Sequence, residues 1–149
     1  MNNVVTGNSA SNILSGAAGA DRLIGNAGND ILVGGLGRDT LTGGAGADRF
    51  RYTALNEKGD TITDFVRGSD KLQFVRSRFG NLTASQIAHG HFLSNNTGKA
   101  SGAAAQFIFN NRTGALVYDN NGYTIGGSTK IATLNFRTLS ANDFLMVSS

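Results

Sequence analysis

Large apolar residues recur at a fixed interval in the N-terminal third of the chain: Leu14, Leu23, Leu32, Leu41 and Phe50 are each nine positions apart. Each stands in the middle of a triplet that suits a very short strand with one buried side chain. The six residues between successive triplets are rich in Gly, which permits left-handed backbone and close chain approach, so they read as tight turns. Written out from Gly7 to Arg51, the phrase occurs five times without a gap: GNSASNILS, GAAGADRLI, GNAGNDILV, GGLGRDTLT and GGAGADRFR. A three-residue strand cannot hold itself together, so the copies are expected to stack into a solenoid whose interior is a single file of apolar side chains.

The sixth place of each copy is as regular as the eighth, with Asn12, Asp21, Asp30, Asp39 and Asp48. If the chain changes sides at every turn, copies two apart lie over one another, and Asp21 faces Asp39 while Asp30 faces Asp48. Holding two carboxylates about 4 Å apart costs on the order of 4 kcal/mol at an effective dielectric near 20, so the stack calls for a cation. Carboxylate and backbone oxygens on a flexible loop are the donors calcium selects, whereas magnesium demands a tighter octahedron and keeps its waters.

The pattern Gly-Gly-x-Gly-x-Asp-x-(apolar)-x resembles the RTX, or hemolysin-type, calcium-binding repeat of type I secreted bacterial toxins, lipases, proteases and alginate epimerases. The resemblance implies an all-β protein, a right-handed parallel β-roll closed by a C-terminal antiparallel β-sandwich-like cap, with several Ca2+ ions between turns two copies apart. One site would take Asn26, Gly28, Asp30, Gly43, Ala45 and Asp48; another would take Ala17, Gly19, Asp21, Gly34, Leu36 and Asp39. The first copy departs from the pattern, with Ala10 for the third Gly and Asn12 for Asp.

After the repeats, the stretch GDTITDFVRGSDKLQF resembles the closing sequence of such proteins. Asp60 and Asp64 are expected to complete the calcium sites left open by Asp39 and Asp48, and Asp70, in a Gly-Ser-Asp turn, reads as a turn residue. The expected layout is a roll over residues 1–53 and a β-rich capping and secretion region over residues 54–149. Within the latter, Thr83 caps a short helix that turns Leu82 and Ile87 inward. Strands at 106–110 and 115–119 form a hairpin across Asn-Arg-Thr-Gly, and a further strand covers 130–136. Residues 99–102 read as a loop and 119–122 as a turn.

Composition narrows the function. The chain has no Cys, so no disulfide framework holds it, and no apolar run is long enough to span a bilayer. A net charge of +3 and a pI near 9.6 come from the C-terminal two thirds, where Arg67, Lys71, Arg76 and Arg78 cluster as a solvated face. No nucleic-acid motif accompanies that charge. His89 and His91 lack a third ligand at zinc spacing. HExxH, GxSxG and Walker-type motifs are absent, so no catalytic residue is assigned. The expectation is a non-catalytic calcium-binding module that folds on Ca2+ outside the cell, extracellular or at a cell surface, with type I secretion machinery as a partner. The alternative is a module binding anionic polysaccharide or a cell surface; an enzyme is the third reading.

Overall fold

The computed structural model describes residues 1–99, 105–120 and 127–148. The strands among the described residues, in chain order, are β1 (Val4–Thr6), β2 (Ile13–Ser15), β3 (Arg22–Ala27), β4 (Ile31–Val33), β5 (Thr40–Ala45), β6 (Arg49–Tyr52) and β7 (Asp60–Ile62). They continue with β8 (Lys71–Val75), β9 (Phe92–Asn95), β10 (Gln106–Asn110), β11 (Ala115–Asp119), β12 (Ser128–Leu134) and β13 (Phe144–Val147). Two sheets result, with orders β1-β3-β5-β7-β12-β11-β10-β9 and β13-β8-β6-β4-β2. Odd strands of the roll fall in one sheet and even strands in the other, because each turn carries the chain across to the opposite side. Copies two apart are therefore parallel neighbours, with Leu23 beside Leu41 and Leu14 beside Leu32.

The apolar file is the interior of this parallel β-roll. Leu23, Leu32, Leu41 and Phe50 are buried, and Leu14 nearly so at the open end. At about 25 cal/mol per Å2 of apolar surface, burying each side chain contributes roughly 1.5–3 kcal/mol. The turns owe their shape to a left-handed second place and a positive-φ fourth place. Ala17 and Asn26 hold φ of 70° and 79° where later copies have Gly35 and Gly44. Between layers glycine is needed at both places in these later copies: a Cβ on Gly37 would lie 1.7 Å from the Gly19 carbonyl oxygen, and one on Gly44 1.8 Å from that of Asn26.

Both sheets run beyond the repeats visible in the sequence. At the start, β1 pairs with β3, and the Arg22 N–H donates to the Asn3 carbonyl, so Met1–Thr6 occupies the register of the last six places of a preceding copy. At the other end β7 pairs with β5 and β8 with β6, both parallel, which places Ile62 and Leu72 in the apolar file after Leu41 and Phe50.

The cap grows from these same two sheets. β12 adds in parallel to β7 and β13 to β8, while β10, β11 and β12 form an antiparallel meander. Its interior is aromatic: Phe74 lies within 6 Å, centroid to centroid, of Tyr52, Phe79, Phe107 and Phe144. The 106–110/115–119 hairpin forms as its turn residues direct. Thr83 and Gln86 make a capping box, with Leu82 and Ile87 buried beneath. The strand expected at 130–136 lies at Ser128–Leu134, two residues earlier. The basic cluster is partly engaged, since Lys71 Nζ donates to the Asn142 carbonyl and Arg67 Nε lies 3.5 Å from Asp143. The 99–102 loop and the 119–122 turn run into residues outside those described.

Candidate metal centre

The sixth-place residues form two ladders, one on each side of the roll. In each rung one oxygen, Oδ1, accepts the backbone N–H of the sixth-place residue one layer earlier. One ladder runs from Asn3 N to Asp21 (2.6 Å), Asp21 N to Asp39 (2.7 Å) and Asp39 N to Asp60 (3.0 Å). The other runs from Asn12 N to Asp30 (2.7 Å), Asp30 N to Asp48 (2.9 Å) and Asp48 N to Asp70 (3.0 Å). The stacking read from the spacing, Asp21 with Asp39 and Asp30 with Asp48, is what the fold builds.

The other carboxylate oxygen is the chemically informative one. Oδ2 of Asp21, Asp30, Asp39, Asp48 and Asp60 is buried and has no hydrogen-bond partner. Leaving one such group unpaired costs on the order of 1–3 kcal/mol, more when it is charged, and five in one small solenoid demand a common answer. Those of Asp21, Asp30, Asp39 and Asp48 each point at the open side of a first-place glycine, and at Gly16 and Gly25 a carbonyl converges with them. A Cβ on Gly25 would lie 2.3 Å from Asp30 Oδ2 and 2.4 Å from the Gly43 oxygen, and one on Gly16 would meet Gly34 O and Asp21 Oδ2 at 2.6 and 2.7 Å.

Burial sets the electrostatics. Desolvation is the largest cause pushing the Asp39, Asp48, Asp60 and Asp70 carboxyls upward, opposed by the ladder hydrogen bonds and reinforced by neighbouring carboxylates; Asp60 reaches about 7. A stack strained in this way relaxes either by taking up protons or by taking up a cation. No three His, Cys, Asp or Glu side chains converge as a metal group among the described residues. An ion must therefore complete its shell with backbone carbonyls. The donor set is all oxygen, hard and partly flexible, and it fits Ca2+. Of the expected carbonyl ligands, those of Ala17, Leu36 and Ala45 each already accept one backbone N–H, which leaves a second lone pair.

The closing residues differ from the expectation in one respect. Asp60 takes the rung above Asp39 as expected, but the rung above Asp48 belongs to Asp70 and not to Asp64. The Asp64 carboxylate instead accepts from Gly43 N and Gly44 N, at 2.9 and 2.7 Å. Asp70 is a turn residue too, its Oδ2 accepting from Val66 N. The phase moved because the turn before Asp60 is longer by three residues and that before Asp70 by one more, so the rungs are 21 and 22 residues apart instead of 18. Both ladders begin on a neutral Asn. Asn12 Oδ1 accepts from Asn8 N, satisfied within its own turn. Sequence reading also passed over buried Glu57, whose carboxylate accepts from the Thr53 N–H and hydroxyl and clamps the turn. His89 and His91 set Nδ1 against the carbonyls of Ser85 and Ala105.

The family of the RTX calcium-binding nonapeptide repeat, four copies long, matches residues 6–41 and 24–54. No curated protein matches the chain in sequence. Among solved structures the chain is similar to the AlgE6R3 subunit of the Azotobacter vinelandii mannuronan C5-epimerase. The identity is 25% over 97% of this chain and 77% of that one, with a TM-score of 0.63. It is similar also to the AlgE6R2 subunit of that enzyme, at 25% identity over 95% of this chain and 91% of that one, with a TM-score of 0.56.

Proposed function

We propose, from the premise that residues 6–54 of this chain are RTX calcium-binding nonapeptide repeats, that it is a non-catalytic module that folds on calcium outside the cell and serves as a secretion and stabilising unit. The observation that supports this most is the set of five buried carboxylate oxygens without partners, all on the sixth-place ladders. Calcium would join each pair of carboxylates with the carbonyls between them: Asp30 and Asp48 with Asn26, Gly28, Gly43 and Ala45, and Asp21 and Asp39 with Ala17, Gly19, Gly34 and Leu36. The ladders then extend the series to Asp39 with Asp60 and Asp48 with Asp70, four carboxylate pairs in all. Asp64 holds the backbone of the last turn.

Extracellular calcium modules have dissociation constants of about 10⁻⁴ to 10⁻³ M, far above the free calcium of a cytoplasm. On this reading the roll stays unfolded inside the cell, the chain passes a type I exporter, and the roll folds where calcium is plentiful. The test is a calcium titration of the full chain followed by circular dichroism, with bound ion counted by elemental analysis. We expect β-structure to appear with calcium and about four ions per chain on the ladder pairs. An unchanged spectrum between EDTA and millimolar calcium refutes the reading.

A second reading, binding of an anionic polysaccharide, is favoured by one feature. Arg49 lies directly beside Lys71 across β6 and β8. The similar structures come from an enzyme named for acting on mannuronan, a polyuronate. Retention on immobilised polymannuronate that falls with salt supports it; no retention at low salt excludes it.

A further inference from the structure

In the repeats the first place is Gly for a reason the geometry makes plain. A Cβ at Gly25, Gly34 or Gly43 would stand 2.3 to 2.4 Å from the Oδ2 of that copy's own Asp. The lengthened closing copy, which ends on the Asp60 rung, breaks this rule by placing Tyr52 where the nine-residue phase puts Gly. Its side chain is buried, 2% exposed, and turns inward to stack on Phe74, ring centroids 5.4 Å apart and planes at 16°. The hydroxyl at its tip is buried, meets no hydrogen-bond partner, and lies close to the Asp60 carboxylate.

Tyr52 Oη and Asp60 Oδ2 are thus two orphaned polar atoms of neighbouring side chains at the last rung of the first ladder. A carboxylate has about four acceptor sites. Asp60 uses one on the Asp39 N–H through Oδ1, so its Oδ2 can accept from the phenol and still bind a cation. Of the other nearby carboxylates, Asp39 and Glu57, the latter is taken up by Thr53.

We infer that Tyr52 is a positioning residue for a closing calcium site between Asp39 and Asp60: its hydroxyl orients Asp60 toward the ion while its ring, stacked on Phe74, carries that ion's occupancy into the aromatic cap. This rests on the calcium reading given above and adds to it a residue that no repeat pattern supplies. In the rungs of Asp21, Asp30, Asp39 and Asp48 Oδ2 faces a glycine and has no partner, and at Asp70 it accepts from the Val66 N–H. The Asp39–Asp60 site alone would have a side-chain hydroxyl as its outer-shell donor, and the ring that carries it stacks on Phe74 of the aromatic cap.

The test is calorimetric calcium binding by the full chain and its Tyr52→Phe and Asp60→Asn variants, with near-ultraviolet circular dichroism at each step. Tyr52→Phe keeps the ring and removes only the hydroxyl. Loss of an outer-shell partner typically weakens metal binding 10–100-fold, and we expect a drop of that size in one class of site, the rest unchanged. Asp60→Asn should empty the same class, and the double variant should lose no more than Asp60→Asn alone. In the parent chain the aromatic signal should follow the filling of that class, and in Tyr52→Phe its midpoint should move to the higher calcium concentration. A Tyr52→Phe isotherm that superimposes on the parent's overturns the inference, as does a uniform weakening of every class, which would mark a merely structural role. A parent chain that takes up no calcium overturns the proposed function and this inference together; a parent that binds beside an unaltered Tyr52→Phe overturns only the latter.

Discussion

Asp48 and Asp143 are both buried aspartates, and their surroundings show how differently the two halves of this protein are held together. Asp143 spends its Oδ2 on Ser140 N and the Ser140 hydroxyl, with Arg67 alongside, all inside the cap. Asp48 gives one oxygen to Asp30 N and leaves the other with no partner. The contrast holds across the molecule. Every buried side-chain polar atom without a partner, among the described residues, lies between Asp21 and Gln73. The roll is one side chain thick and leaves its polar accounting open to an ion. The cap closes its own and relies on stacked and edge-on rings around Phe74, Phe79 and Phe107. A thin solenoid buries little apolar surface per residue, so its stability must come from elsewhere; a compact aromatic cluster needs no such help.

Chelation tests the contrast most severely. In EDTA the roll amides, from β1 to β6, should lose hydrogen-exchange protection entirely while those of β10 to β12 keep a measurable part of theirs. Uniform loss or uniform retention would show that the halves are one cooperative unit in this respect. A fragment ending at Thr53, which lacks Asp60, Asp70 and the aromatic cover, should stay disordered even in millimolar calcium, as read by circular dichroism.

The cap can be attacked separately. Phe74→Ala removes a fully buried ring with four aromatic neighbours, and a loss of about 3–5 kcal/mol in denaturant unfolding is expected, with or without calcium. A loss seen only with calcium present would place Phe74 energetically in the roll.

Within the roll, the ladders rank the aspartates. Asp39 and Asp48 each have a carboxylate above and below, whereas Asp21 and Asp30 have an Asn on one side. Asp39→Asn and Asp48→Asn should therefore raise the calcium midpoint by about an order of magnitude, and Asp21→Asn and Asp30→Asn by less, since ligand charge sets affinity. Asp70→Asn should shift it more than Asp64→Asn. Equal shifts for all six would undo the ladder assignment.

The smallest effect is a gain. Ala17 holds φ of 70°, a left-handed conformation that costs an L-residue roughly 1–2 kcal/mol. Ala17→Gly should raise the stability of the calcium-loaded chain by about 1 kcal/mol, offset in part by the greater freedom of the unfolded chain. A loss in thermal unfolding would show that the methyl group packs usefully between layers.

Much of this was legible in the residues because a repeat writes its geometry into its period. Nine residues per turn and a change of side at each turn place the file Leu14 to Phe50 inside, and they put Asp21 over Asp39 and Asp30 over Asp48. The short capped helix at Thr83 and the hairpin across Asn110 to Gly114 were equally readable, since caps and turns act through neighbours in sequence. Three things were not. Met1–Thr6 fell inside the expected roll over residues 1–53, but its place in the register, with no glycine to mark it, is set by pairing with β3 and not by its own pattern. The rung above Asp48 fell to Asp70 because two lengthened turns shifted the phase, and a period carries no record of where extra residues bulge out. Tyr52 occupies a glycine position where its ring stacks on Phe74, a neighbour 22 residues away that only the parallel pairing of β6 and β8 brings alongside. Periodicity determines contacts between equivalent places. Where equivalence ends, at the two ends of the roll, the partner is chosen by sheet register and by the room left in the core, and those exist only once the chain is folded.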